Sequence, residues 1–192
     1  MNVNMRRNPM AVKNKIDLDI FKLVSEVITK SDNIDTMSNQ LTQILVGVLG
    51  IMGATIFVLN PELEELEILA SSGLSINYIN KGPILVDKSI KLAPNREPVI
   101  ISDITTGDRL QYPEKAEEEG IMAIVSLPIT QRGKIVGALR LYHSTVWNVS
   151  ETDIDYLQVL AQNIGIALMY FRLANALQTV KETVNDIHSV WL

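Results

Sequence analysis

Apolar residues at helical spacing open the chain and predict two amphipathic helices. After Asp17 they recur every three or four positions, and a polar break at residues 31–33 supplies N-cap candidates before a second run. Each run forms one face of a helix, so we expect both helices to cover a common core. The runs are Ile20, Leu23, Val24, Val27 and Ile28, then Ile34, Met37, Leu41, Ile44, Leu45, Val48 and Leu49.

Five shorter apolar segments predict β-strands. Residues 54–59 are apolar on both faces, as in a sheet covered on both sides, and residues 66–71 follow after a short polar turn. These two neighbours are expected to pair antiparallel. The other segments are residues 99–103, 123–130 and 135–142. The last two predict a hairpin, with Gly133 in a four-residue connection.

Residues 76–122 differ in composition from the rest of the chain, because they hold four of the seven prolines. Apolar residues continue through the segment, so we expect a packed lid rather than a disordered loop. A short helix is predicted over residues 113–119, with Pro113 at its first position and Gly120 at its C-terminal cap.

The longest predicted helix begins at a capping box in residues 150–153 and continues to near the end of the chain. Its first apolar run suits packing on the sheet, whereas the second has no core left to cover and should pair with a partner helix. Folding back onto the domain is the alternative. The runs are Leu157, Ala161, Ile164, Leu168 and Phe171, then Leu177, Val180, Val184, Ile187 and Trp191, joined by a stammer-like three-residue step through Ala174.

Composition narrows the classes of partner. The net charge is −5 and the basic residues are scattered, which argues against nucleic-acid binding. The chain has no cysteine, which excludes disulfides, zinc–thiolate sites and thioether-linked chromophores. The basic N-terminus lacks an apolar segment behind it, so a cytoplasmic location is expected. Residues 44–59 are uncharged but too short to cross a bilayer, so no membrane association is expected.

The order of these elements, together with short motifs, resembles the GAF family of small-molecule sensory domains. The matching residues are Gly53-Ala54, residues 70–74, residues 99–104, Gly120-Ile121, residues 127–129, residues 133–139 and residues 153–167. The resemblance implies an α+β, GAF/PAS-like fold with a central antiparallel sheet of about six strands. Terminal helices would cover one face, and an irregular lid would cover a pocket on the other.

The residue patterns and the resemblance together predict three parts of the chain. Residues 1–15 form a flexible N-terminus, residues 16–172 the sensory domain, and residues 173–192 a helical extension for coiled-coil dimerisation and signalling. Covalent bilin attachment and sulfoxide reduction in this family need cysteine, which is missing here. Of the family's cyclic-nucleotide signature, this chain has only Asn80-Lys81 and lacks the rest. The resemblance therefore does not identify a ligand or cofactor.

Candidate ligand contacts are few, and three of them have a structural alternative. Asp103 ends a strand and either orients a ligand or caps the following turn. Arg109 either clamps an anion or pairs with a nearby aspartate. Arg140 either projects into the pocket or lies at an exposed part of the sheet. The full set of candidates is Asp103, Arg109, Ser126, Arg140, Ile56 and Val58.

Catalytic and metal-binding patterns are weak. The two histidines, His143 and His188, are distant in sequence, and the glutamates of residues 114–119 are expected to form a solvated helix face. We therefore expect no metal site and a non-catalytic cytoplasmic sensor. It would bind a small molecule, form a homodimer and act on an attached or separate effector. The alternatives are a structural dimerisation module without a physiological ligand and an enzyme of unrecognised type.

Overall fold

The structure is a computed structural model and describes residues 16–89, 97–106 and 110–190. The flexible N-terminus predicted for residues 1–15 lies outside the described residues. Six helices and six strands are present in the described part: α1 Leu18–Lys30, α2 Ile34–Leu49, β1 Gly53–Asn60, β2 Glu65–Ser72, α3 Ile76–Ile79, β3 Ile84–Leu85, α4 Val86–Ser89, β4 Val99–Ile101, α5 Pro113–Glu119, β5 Ala123–Gln131, β6 Lys134–His143 and α6 Glu151–Val190. A single 3-10 turn, Ile104–Thr106, follows β4.

Local side-chain bonds explain where the helices begin. The Asp17 carboxylate accepts hydrogen bonds from the first turn of α1, and the Asn33 side chain accepts one from the Thr36 amide at the start of α2. The predicted capping residues at the start of α6 also bond to each other. The Asp153 amide donates to the Ser150 hydroxyl at 3.1 Å, and that hydroxyl donates to the Asp153 carboxylate at 2.8 Å.

The six strands form one sheet in the order β3-β2-β1-β6-β5-β4, and every neighbouring pair is antiparallel. The fold is α+β with helices on one face and an irregular lid on the other, as expected. The hairpin connection is shorter than the four residues predicted, because Gln131 and Lys134 pair with each other. It consists of Arg132 and Gly133, both with positive φ, as a tight hairpin turn requires.

The helix face of the sheet carries the main apolar core, where α1, α2 and α6 pack on the central strands. The segment at residues 44–59 is the end of α2 and the buried strand β1, as predicted. The first apolar run of α6 is buried in this core, also as predicted. Gly165 lets α6 approach β5 closely, because a Cβ there would lie 2.6 Å from Ile129 Cγ2. The Gln131 amide donates to the Gly165 carbonyl at 2.6 Å.

Among the described helices, α6 is long and apolar enough to span a membrane by length and composition alone. Of its most apolar 18-residue window, 44% is buried within the domain. Packing on the sheet therefore accounts for one apolar side of this helix.

The close approach of β1 and β6 generates a stability prediction at Gly137. A Cβ at this position would lie 2.2 Å from the Phe57 carbonyl oxygen, so Gly137→Ala must push the two strands apart. We expect it to lower the free energy of unfolding in urea by about 2 kcal/mol or more. The control is Gly47→Ala on α2, where a Cβ meets no atom within 4 Å. That control should raise stability by up to about 1 kcal/mol, and equal effects of the two variants would contradict the packing.

Candidate ligand pocket

A small cavity lies between the lid and the lid-facing side of the sheet. Its volume is about 30 Å³, which is room for one or two water molecules. Two segments of the lid, residues 78–81 and 110–112, contribute to its wall, together with strands β3, β4, β5 and β6. The lining residues are Tyr78, Lys81, Ile84, Val99, Ile101, Leu110, Gln111, Tyr112, Ile124, Ser126 and Arg140.

Arg140 is the central polar residue of this cavity. It lies in β6, opposite Thr55 on β1 and Ser126 on β5, and it is only 7% exposed. Its Nε donates a hydrogen bond to the Ser126 hydroxyl at 2.8 Å, and its guanidinium carbon lies 5.4 Å from the centre of the Phe57 ring. A buried cation needs such partners, because its removal from water is costly. Of the two positions predicted for Arg140, the structure has the one in the cavity.

Lys81 brings a second cationic side chain to the cavity wall. Its Nζ donates to the Tyr78 carbonyl oxygen at 3.0 Å and lies 3.7 Å from the centre of the Tyr78 ring. Burial, and then the positive charge of Arg140, lower the pKa of Lys81 to about 8, against a weaker opposing effect of Glu119. Lys81 therefore changes charge at a pH much closer to neutral than an exposed lysine does.

Two tyrosines support the floor of the cavity. The rings of Tyr78 and Tyr142 pack edge to face with their centres 5.8 Å apart. Burial raises the pKa of both phenols, so both stay protonated well above neutral pH. Among the described residues, no hydrogen bond of ordinary geometry reaches the fully buried Tyr142 hydroxyl. Its neighbour Thr55 bonds to Ser71 instead, at 2.9 Å.

A small set of hydrogen bonds holds the lid segments together. The Gln111 amide donates to the Pro83 carbonyl at 2.8 Å and accepts from the Leu85 amide at 3.0 Å. The Tyr112 hydroxyl also donates to the Pro83 carbonyl, at 2.9 Å. The Glu119 carboxylate, at the end of α5, accepts from both the amide and the hydroxyl of Ser75 at the start of α3. These bonds join residues 75–85 of the lid to residues 111–119.

The structure brings together only part of the predicted site. Ser126 and Arg140 line the cavity, whereas Ile56 and Val58 lie on the opposite, helix-covered face of the sheet. The prediction that these two residues contact a ligand is therefore corrected. Residues along a strand alternate between the two faces, and both of these lie on the face that the helices cover. The lid-facing neighbour in β1 is Phe57. Arg109 lies outside the described residues.

Asp103 adopts the turn-capping arrangement. Its carboxylate accepts hydrogen bonds from the Thr105 amide at 2.9 Å and the Thr105 hydroxyl at 2.6 Å, and these bonds lower the pKa of Asp103. It does not belong to the cavity wall. Sequence reasoning missed Tyr78, Lys81, Gln111 and Tyr112, whose only signal was their position as polar residues within an apolar lid.

The remaining described residues that were considered for metal binding or catalysis either contact their own neighbours or are exposed. The His143 ring accepts a hydrogen bond from the Thr145 amide at 3.1 Å and packs against Trp147. Glu114, Glu117 and Glu118 are exposed on α5. Among the described residues, no group of three or more histidine, aspartate or glutamate side chains is placed to hold a metal ion.

The pKa of Lys81 gives a testable pH dependence of stability. Between about pH 8 and 10.5 the unfolded chain binds more protons at this side chain than the folded chain, so folding becomes more favourable as pH rises. We expect the unfolding free energy of the wild type, relative to Lys81→Met, to increase between pH 7.5 and 9.5. Both proteins have the same tyrosines, so tyrosine ionisation near pH 10 cancels from this difference.

The control for this measurement is Lys115→Met. Lys115 is exposed and bonded to Glu118, which raises its pKa, so the difference between wild type and this variant should stay flat over the same range. A flat difference for Lys81→Met as well would show that Lys81 is solvated in solution.

Comparison with known proteins places the fold in a family. The GAF domain family model matches residues 33–168. The GAF domain of a phosphoenolpyruvate-protein phosphotransferase from Coxiella burnetii has a TM-score of 0.72 at 19% identity, covering 83% of this chain and 96% of its own. The phycocyanobilin-bound GAF domain of a cyanobacterial phytochrome has a TM-score of 0.66 at 17% identity, covering 83% and 98%.

An enzyme shares the same fold. The free methionine-R-sulfoxide reductase from Neisseria meningitidis, solved with its substrate, has a TM-score of 0.66 at 14% identity, covering 81% of this chain and 91% of its own. No curated protein matches the chain significantly. At these identities the solved structures establish the fold alone, whereas the family model spans most of the chain. The protein described here therefore belongs to the GAF domain family.

Proposed function

We propose that this chain is a non-catalytic sensory or regulatory domain of the cytoplasm, which binds a small molecule between sheet and lid. The observation that carries the proposal is the Arg140–Ser126 pair, buried in the middle of the sheet at the wall of a cavity. A pocket of this kind combines apolar walls with a few convergent polar groups.

The polar groups at the cavity indicate the chemistry of the ligand. Arg140, Lys81 and the Gln111 amide are hydrogen-bond donors, and Ser126 is both donor and acceptor. No acidic side chain is among the described residues of the cavity wall. We therefore expect a ligand that carries acceptor oxygens, such as a carboxylate or carbonyl group.

The size of the cavity indicates how binding would be coupled to a signal. A volume of about 30 Å³ admits nothing much larger than water, so a larger ligand enters only if the lid moves. The hydrogen bonds of Gln111 and Glu119 would then be exchanged for contacts with the ligand. A ligand that binds the two lid positions unequally shifts their populations.

The signal would pass to the C-terminal part of α6, within the extension proposed for residues 173–192. Leu177, Val180 and Val184 are exposed there, which suits pairing with a second chain. Ile187 and Trp191 continue the apolar spacing in sequence, and their side chains lie outside the described residues. A homodimer joined in this way could act on an attached effector domain or on a separate partner.

The known relatives support ligand binding by the fold and leave the ligand open. The solved GAF domain of a cyanobacterial phytochrome holds phycocyanobilin, so the fold can accommodate a small molecule. This chain has no cysteine for covalent attachment of a bilin. A second candidate function is a structural dimerisation module without a physiological ligand, and the small volume of the cavity favours it.

Native mass spectrometry of the purified full chain tests ligand binding. We expect the wild type and Arg172→Met to carry a stoichiometric small molecule that denaturation releases, and Arg140→Met to carry none. The two variants remove the same charge, but Arg172 is exposed on α6. Ser126→Ala keeps the charge and removes one hydrogen bond, so it should reduce occupancy only partly.

The same samples distinguish the two candidate functions. Addition of the released molecule should raise the melting temperature of the wild type and not that of Arg140→Met, since a ligand of the folded state stabilises it. A wild type with nothing bound, and no stabilisation by a panel of small carboxylates and other metabolites, would favour the structural module.

A further inference from the structure

Lys81 differs from an exposed lysine in what surrounds its amine. Lys115, on the surface of α5, is paired with the Glu118 carboxylate at 2.6 Å, which raises the pKa of that lysine. Lys81 instead lies at the wall of the cavity, where its Nζ donates a hydrogen bond to the Tyr78 carbonyl oxygen and lies over the Tyr78 ring. Its amine is therefore held at one place beside an enclosed space.

Burial and the charge of Arg140 act against the protonated form of Lys81. Together they lower the pKa of Lys81 to about 8, and Glu119 opposes them with the weakest of the three effects. At about pH 7.5 roughly a quarter of these side chains are neutral amines, against about one in a thousand for an exposed lysine. A neutral amine in such a setting is a nucleophile, because its lone pair is not occupied by a proton.

The cavity beside this amine selects reactants by size. Its volume of about 30 Å³ is room for one or two water molecules, and a linear triatomic molecule such as carbon dioxide needs about the same room. Apolar side chains contribute much of the wall, among them Ile84, Leu110 and Ile124, and they suit an uncharged molecule. Larger carbonyl compounds would need the lid to move.

We propose that Lys81 is a site of reversible carbamate formation with carbon dioxide. The neutral Nζ attacks the carbon atom of carbon dioxide, an N–C bond forms, and one carbon–oxygen π pair moves onto oxygen. The nitrogen then releases one proton to water. One amine and one carbon dioxide therefore give one carbamate anion and one proton, and no oxidant or reductant takes part.

The product fits the charges of the cavity better than the protonated lysine does. Carbamate formation changes the charge of Lys81 from positive to negative, so its interaction with the Arg140 guanidinium changes from repulsion to attraction. The Ser126 hydroxyl accepts a bond from Arg140 and still has its own hydrogen to donate to a carbamate oxygen. No acidic side chain belongs to the described part of the cavity wall.

This modification goes beyond the proposed function and does not rest on it. Carbon dioxide fits the cavity with the lid closed, whereas the ligand proposed above enters only if the lid moves. A carbamate at Lys81 would place a negative charge at the wall of the same cavity. It would therefore oppose the binding of a ligand that carries a carboxylate.

Chemical trapping tests the modification, because triethyloxonium ion converts a labile carbamate into a stable ethyl ester. The full chain is equilibrated with isotope-labelled bicarbonate and carbon dioxide at about pH 7.5, trapped, digested and analysed by mass spectrometry. We expect the label on Lys81 to exceed that on Lys115 by at least about tenfold, since Lys81 is roughly a hundredfold more often neutral.

Two arginine variants control this experiment. Lys81→Arg keeps the positive charge but always stays protonated, so it should carry no label at this position. Lys115→Arg is the matched control and should leave the label on Lys81 unchanged. The α-amino group of the purified chain also ionises near pH 8, so its label shows in every sample that trapping worked. Label on that group and none on Lys81 would overturn the proposal.

Melting temperatures provide an independent measurement. Bicarbonate with dissolved carbon dioxide, compared with sodium chloride at the same pH and ionic strength, should stabilise the wild type and Lys115→Arg but not Lys81→Arg. Stabilisation that persists in Lys81→Arg, without label on the wild-type Lys81, would indicate non-covalent bicarbonate binding and overturn the carbamate. A wild type that is labelled at Lys81 but releases no small molecule would support this inference and count against the proposed function.

Discussion

The hydrogen bond from the Arg140 guanidinium to the Ser126 hydroxyl links strands β6 and β5 and constrains what can cover that side of the sheet. An apolar layer over a cation would leave it without partners, so the covering layer must bring polar groups. The lid supplies Lys81, Gln111 and Tyr112 around the same cavity. The low pKa of Lys81 follows from the same constraint, because its ammonium group is buried near the charge of Arg140.

The two faces of the sheet are therefore covered in different ways. On the helix face, α1, α2 and α6 bury one continuous apolar core, which provides most of the hydrophobic stabilisation. On the lid face, two smaller apolar clusters surround polar groups, and short elements are joined by a few side-chain bonds such as Ser75–Glu119. Segments with so few buried contacts open at lower free energy than a core does, which suits a surface that must admit a ligand.

Sequence reasoning predicted the long periodic elements and missed what depends on tertiary context. Both terminal helices, the hairpin and the capping bonds of Ser150 followed from local patterns. The sequence did not predict which residues of β1 lie on the cavity side of the sheet. Ile56 and Phe57 are both apolar, so the pattern cannot distinguish the two faces. Elements of two to four residues, such as β3 and α3, are too short to show a period.

The close approach of Gly165 to Ile129, together with the buried row from Leu157 to Phe171, fixes the rotation of α6 about its own axis. Every later side chain on this uninterrupted helix takes its direction from that buried half, in steps of about 100° per residue. Inserting one residue after Phe171 would leave the buried half in place and turn the rest of the helix by more than a quarter of a circle. The number of residues beyond the sheet, as much as their chemistry, therefore decides which way the outer half of α6 points.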